Sequence, residues 1–307
     1  MTELDALRTD EPAFLGELER LPGSYEGPDG EQPGPYGLTG FGEAASLSGI
    51  MRTWIDGPLV TSGTQFLLSA GFEYGELGPL AVTAEMSGAH VVTVGTGFLE
   101  PNLEVPPGPL SLYTFVSYLG HATGHHRAVE EIDGALRTIA ERSRPELPTE
   151  LNPAKALAWT LWNRTPLLLA SRANSGVPLL VQRAFARVGK SLAVTTGEHP
   201  LELVTGAFEG NHALGDDLLA LVVGPDDREL ELAREVLGTR VAQVERLGLE
   251  PVLGENEPAD PVARAVSIWY LAVWVAAYLA VLHGFDPGDS GVYDEVRRVA
   301  QGESRSD

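Results

Sequence analysis

Cysteine is absent from the 307 residues. That excludes disulfides, thiolate catalysis, iron–sulfur clusters and cysteine zinc sites, and it fits a reducing, cytoplasmic setting. Lysine is scarce, with only Lys155 and Lys190. Neither stands in a Gly-x-x-x-x-Gly-Lys-Ser/Thr run, so no phosphate-binding loop of that kind is present. Positive charge as a whole is short: Lys plus Arg number 21 against 43 Asp plus Glu, a formal net charge of −22. Such a balance argues against nucleic-acid and anionic-membrane partners. The N-terminus is acidic and has no apolar run of the kind a signal peptide carries.

One long uncharged run is present, residues 265–282, AVSIWYLAVWVAAYLAVL. Its length reaches the lower limit for a membrane span. No lysine or arginine cluster sets an orientation, and a helix apolar all round equally forms the centre of a large soluble core, which is the reading preferred. Trp269, Tyr270, Trp274 and Tyr278 belong to that core or to a subunit interface rather than to a sugar-stacking platform.

Residues 4–21 read as an amphipathic helix, and 22–35, with four prolines and four glycines, as a loop. Strand and helix patterns then alternate. Strands are expected at 36–39, 65–69 and 89–94, with helices at 50–55, 74–87, 110–121 and 127–142. A Pro-rich, charged stretch at 143–153 reads as a domain boundary. The alternation resumes with strands at 167–170, 191–195, 217–223 and 249–253 and helices at 177–188, 200–208, 228–247 and 290–300. This pattern implies an α/β chain of two tandem αβα sandwiches with parallel sheets. Its divisions are an N-terminal helix and loop (1–35), a first domain (36–145), a second (146–287) and a C-terminal helix and tail (288–307).

Several residue groups carry chemistry. Gly40-Phe41-Gly42 reads as a strand-to-helix turn able to cradle a ligand oxygen, although Glu43 discourages an anion and the third glycine of a dinucleotide fingerprint is missing. Thr61-Ser62-Gly63-Thr64 offers hydroxyls to a phosphate or, alternatively, simply stabilises a turn. His121 and His125 have the i,i+4 spacing of helix-borne metal ligands, with His126 and Glu130 nearby. Gly120 and Gly124 instead favour a helix cap, and no metal is expected. His212, with Glu209 three residues earlier, can exchange a proton near neutral pH. Arg183, Arg187 and Lys190 share one helical face and form either an anion site or ion pairs with the abundant acids.

Four collinear segments resemble the bifunctional phosphoglucose/phosphomannose isomerase family, whose members are tandem SIS domains. They are Gly40-Phe41-Gly42-Glu43-Ala44-Ala45, Leu68-Ser69-Ala70-Gly71-Phe72-Glu73, Phe208-Glu209-Gly210-Asn211-His212, and Tyr278-Leu279-Ala280 followed by Gly284-Phe285-Asp286-Pro287. The resemblance implies aldose–ketose isomerisation of a sugar phosphate, without a cofactor, in a homodimer. It places His212 in ring opening or proton transfer with Glu209 beside it. It places Gly40, Gly42, Ser69, Gly71 and Arg297 around the substrate and its phosphate, and Arg183 and Lys190 of the basic strip are further candidates to hold that phosphate. The sequence departs from the family pattern at several points. Leu68, Ala70 and Glu73 stand where hydroxyls are usual, Arg297 where a lysine is usual, and the glutamate that acts as base falls in 181–190, nearest Ala184, where no acid occurs. The resemblance therefore implies an isomerase-like protein with a degenerate site or, alternatively, a catalytically silent sugar-phosphate sensor.

Overall fold

The computed structural model describes residues 3–6, 12–70, 77–98, 100–195, 218–225, 227–237 and 243–300. The chain divides into two compact units. One joins Ser24–Glu130 to Asp289–Asp307, and the other joins Met1–Gly23 to Glu131–Gly288.

The unit of residues 24–130 is built on three parallel strands: β1 (Tyr36–Gly42), β2 (Thr64–Ala70) and β3 (His90–Gly95), in the order β1-β2-β3. Every residue of β2 is buried, as a central parallel strand covered on both faces requires. Between the strands lie a short helix at Leu47–Ile50 (α2) and a longer one at Leu77–Met86 (α3). Another helix, Ser111–Ala122 (α4), carries Tyr113, Phe115, Val116 and Leu119 into the core. The helix His126–Ser143 (α5) contains the division between the units. The sequence placed a tight turn at Gly40-Phe41-Gly42 and a helix at 50–55. Instead β1 runs through Gly42, because Gly40, Phe41 and Gly42 pair in register with Leu68, Ser69 and Ala70. The helix is correspondingly earlier and ends at Ile50.

The other unit holds a four-stranded parallel sheet. Its strands are β4 (Thr165–Ala170), β5 (Val194–Thr195), β6 (Leu218–Val223) and β7 (Val244–Leu247), in the order β5-β4-β6-β7. Its helices are α6 (Pro153–Leu161), α7 (Val177–Arg187), α8 (Arg228–Leu237), the single turn α9 (Glu250–Leu253) and α10 (Pro261–Leu282). The sequence reading assigned 228–247 to one helix and 249–253 to a strand. The helix stops at Leu237, just before Gly238 in the sequence, and 244–247 is the strand, hydrogen-bonded beside β6. Pro251 lacks the N–H a ladder needs and sits in the first turn of α9 instead. α6 falls partly in the stretch read as a boundary. Its start is nonetheless legible in Asn152-Pro153, for the Asn152 side chain accepts from Lys155 N and Pro153 takes the first helical position. The expected helix over 4–21 is a 3-10 turn at Glu3–Ala6 and a helix at Ala13–Arg20 (α1) that begins after Pro12. Proline disfavours helix in the residue before it.

The apolar run forms α10, which is buried along almost its whole length within this unit; Trp274, Tyr270 and Tyr278 have no exposed surface. Two phenols hold the neighbouring helices: Tyr270 Oη donates to Leu18 O, and Tyr278 Oη donates to Ser143 O at 2.5 Å. α10 opens on Asp260, whose carboxylate accepts from Val262 N and Ala263 N. It closes on Gly284 at φ 78, with Phe285 N bonded to Ala280 O and Gly284 N to Val281 O. That is the left-handed glycine termination of a helix. The Tyr-Leu-Ala…Gly-x-Asp-Pro motif is therefore a helix stop. The last helix, α11 (Gly291–Ala300), belongs to the unit of 24–130.

Candidate functional site

Parallel strands bring their carboxyl ends to one edge, and α/β ligand sites form there. In the unit of 24–130 that edge carries Gly42, Ala70 and Gly95 in adjacent strands. Gly40 is required by close packing, since a Cβ there would lie 2.2 Å from Ala44 O. Gly42 has φ 59 and ψ −125, a conformation side chains resist. Together these two glycines turn the chain from β1 into the 3-10 turn Glu43–Ser46, which packs against β1 and β2. Ser69 is 1% exposed. A Cβ on Gly95 would lie 1.9 Å from Ser69 O, and the same carbonyl accepts from Thr96 N at 3.0 Å. The Thr96 hydroxyl is buried and has no hydrogen-bond partner among the described residues. Sequence reasoning passed over Thr96; the signal was a hydroxyl between two glycines directly after an apolar strand.

The hydroxyl tetrad Thr61–Thr64 lies at the opposite, amino end of β2. Thr64 Oγ1 donates to Pro33 O at 2.8 Å, and a Cβ on Gly63 would meet Pro35 O at 2.2 Å. The Thr64 hydroxyl thus serves to hold the 33–35 segment. Gly71 and Glu73 lie outside the described residues. Among the described residues no group of three or more histidine, aspartate or glutamate side chains could hold a metal.

In the other unit the chain leaves β4 for β5 on one side and returns to β6 on the other. The crevice at the carboxyl ends of β4 and β6 is thus a topological switch point. Ser171, 3% exposed, accepts Asn174 Nδ2 at 2.8 Å. Asp227 accepts Arg172 N at 3.2 Å and Leu230 N at 2.9 Å, capping α8. Arg246 Nη1 donates to Gly224 O at 2.9 Å. Helix α7 begins after Gly176, with no side chain among the described residues capping it. None of Ser171, Asn174, Asp227 and Arg246 was singled out from the sequence, although Ser171-Arg172-Ala173-Asn174-Ser175-Gly176 between an apolar strand and an apolar helix was the available signal.

Arg183 and Arg187 lie half-buried on α7. Lys190 does not share their helical face: α7 ends at Arg187, Lys190 has φ 50, and its ammonium donates to Arg187 O at 2.7 Å. A cation on a terminal carbonyl stabilises a helix end. Ala184, the expected counterpart of a catalytic glutamate, is 6% exposed on the buried face of α7. A carboxylate at that position would enter apolar surroundings. Glu209 and His212 lie outside the described residues, and Arg297 lies on α11.

Residues 14–124 match the Phosphoglucose isomerase N-terminal domain, and residues 150–299 match the Bacterial phospho-glucose isomerase C-terminal SIS domain. A glucose-6-phosphate isomerase like protein from Thermus thermophilus is 34% identical in sequence. Its structure aligns with TM-score 0.83 over 97% of this chain and 100% of that one. A bifunctional phosphoglucose/phosphomannose isomerase of Caldicellulosiruptor bescii is 26% identical over 215 residues, which is 68% of this chain and 62% of that relative's length. Glucosamine-6-phosphate deaminase from Thermotoga maritima is 14% identical. It shares the fold, with TM-score 0.54 over 89% of this chain and 93% of that one. The two domain matches and the 34% identical relative establish that the chain belongs to the phosphoglucose/phosphomannose isomerase family.

Proposed function

We propose that this chain binds a sugar phosphate at the carboxyl ends of its parallel strands and interconverts an aldose phosphate and a ketose phosphate. The glucose 6-phosphate/mannose 6-phosphate to fructose 6-phosphate type is the reaction meant. The observation that carries the reading is the edge of β1–β3. Two constrained glycines on β1, the buried Ser69 on β2 and, directly after β3, the buried Thr96 hydroxyl, which has no partner among the described residues, lie there. A buried donor without a partner costs stability unless a ligand satisfies it. The names of the family relatives supply the ligand class.

The reaction takes a proton from C2 of the open-chain aldose and returns one to C1, while the O2 hydroxyl proton passes to O1. His212, oriented by Glu209, acts in ring opening or proton transfer. Arg183 or Arg297 holds the phosphate. The base lies outside α7. No cofactor is required, and the protein works as a cytoplasmic homodimer. A second reading, a silent sugar-phosphate sensor, is favoured by one observation: residues 181–190 contain no acid, and Ala184 faces the core. One-dimensional proton NMR with the three hexose phosphates separates the two. New signals from the partner sugar establish the isomerase, and saturation transfer without conversion supports the sensor. Absence of both signals overturns both readings.

A further inference from the structure

The last helix turns its apolar side outward. Val292, Val296 and Val299 of α11 recur at spacings of four and three residues, which lines them along one face. They are 78%, 51% and 61% exposed, whereas Tyr293 and Glu295 of the same helix are half-buried. An amphipathic surface helix ordinarily buries its apolar stripe against its own core. The stripe of α11 is left to solvent instead, and a helix of 10 residues is too short to persist in water on its backbone bonds alone.

Charge selects what covers it. The chain carries a formal net charge of −22, so two copies repel over most of their surface. α11 is balanced: Asp294 and Glu295 precede Val296, and Arg297 and Arg298 follow it. That order is self-complementary. Two parallel copies would set acids beside acids and bases beside bases. About a two-fold axis beside Val296 the copies run antiparallel, and the acidic half of each meets the basic half of the other. The same axis sets Val296 against Val296 and Val292 against Val299 of the second copy.

We propose that α11 pairs antiparallel with α11 of a second copy of this chain and forms a seam of the homodimer. The pairing presupposes the homodimer proposed above and gives it a surface. Such a short valine stripe covers only part of the ~800 Å² per partner that a stable dimer buries. The seam therefore fixes the orientation of the two copies and supplies a share of their affinity.

Sedimentation equilibrium of the full chain, natural and Val296→Asp, tests the seam. The position is 51% exposed, so the substitution leaves the fold intact. It brings like charges together at the axis, and the dimer dissociation constant should rise about tenfold or more. An unchanged constant overturns the seam and leaves the homodimer to another surface, whereas a monomeric natural chain overturns both. Because the chain has no cysteine, an introduced thiol reads the orientation. A disulfide needs Cα atoms within about 7 Å, and positions 292 and 299 stand about 10 Å apart along a helix. Oxidised in the folded state, Val292→Cys and Val299→Cys chains should cross-link when mixed and not when alone. Cross-linking of Val292→Cys with itself, or none in the mixture, overturns the antiparallel pairing.

Discussion

Thr96 N donates to Ser69 O at 3.0 Å, which ties the residue following β3 to the last hydroxyl residue of β2. The same carbonyl lies where a Cβ on Gly95 would collide with it. The strand end is thereby drawn tight, and the Thr96 hydroxyl is left buried with no partner among the described residues.

Thr96→Val replaces that hydroxyl by a methyl of similar volume. An unsatisfied buried hydroxyl stabilises nothing, so thermal stability should be unchanged or slightly higher. If the hydroxyl serves the ligand, affinity for fructose 6-phosphate should fall about tenfold or more, the worth of a hydrogen bond to a charged group. Calorimetric titration beside a melting curve reads both, and unaltered affinity would remove Thr96 from the site.

Ala184→Glu is the substitution that the family pattern recommends for restoring a base. The position is 6% exposed and packs on the buried face of α7. An unpaired carboxylate there should cost about 3–5 kcal/mol of stability and restore no isomerase activity. Urea unfolding and an isomerase assay decide. A stable, newly active variant would return the base to α7.

Lys155 is fully buried, and its ammonium donates to Leu4 O at 3.0 Å, Pro145 O at 2.6 Å and Leu147 O at 2.9 Å, with the ring of Tyr278 5.6 Å away. It fastens the N-terminal turn and the 145–147 turn to α6. Lys155→Met fills the space but leaves three carbonyls unpaired. A loss of about 3 kcal/mol in urea unfolding is expected, with faster exchange at residues 3–6.

Burial raises the ionisation of the Tyr25, Tyr36 and Tyr118 phenols above their ordinary value of 10.0. The folded chain holds these protons where the unfolded chain releases them. Their contribution is therefore intact below pH 10.0 and declines as pH rises from there through the folded-state values. Ultraviolet titration should show Tyr25, Tyr36 and Tyr118 among the tyrosines that ionise late, together with loss of structure. Early ionisation of all of them would contradict their burial.

The alternation of apolar strands and amphipathic helices was enough to place most strands and the parallel architecture, because periodicity reports burial directly. It failed where one helix pattern ran on into a strand. In 228–247 the apolar residues satisfy a helical spacing throughout, and only pairing with β6 shows that 244–247 is extended. The site was legible at Gly40 and Gly42, whose spacing marks a forced backbone. Thr96, Ser171 and Arg246 were not, since each is an ordinary polar residue until the sheet order brings it to a carboxyl edge.

By itself the sequence determined the α/β class, the absence of thiol chemistry, the buried aromatic helix and the family resemblance. All of these follow from composition, from period and from local motifs. Tertiary structure alone decided that Ala184 faces the core, that Lys190 closes a helix instead of extending a basic strip, and that Thr61–Thr64 lies at the wrong end of its strand. The physical reason is the same in each case. Burial and strand direction are set by partners distant in the chain, and a side chain's chemistry depends on which edge and which face those partners leave to it.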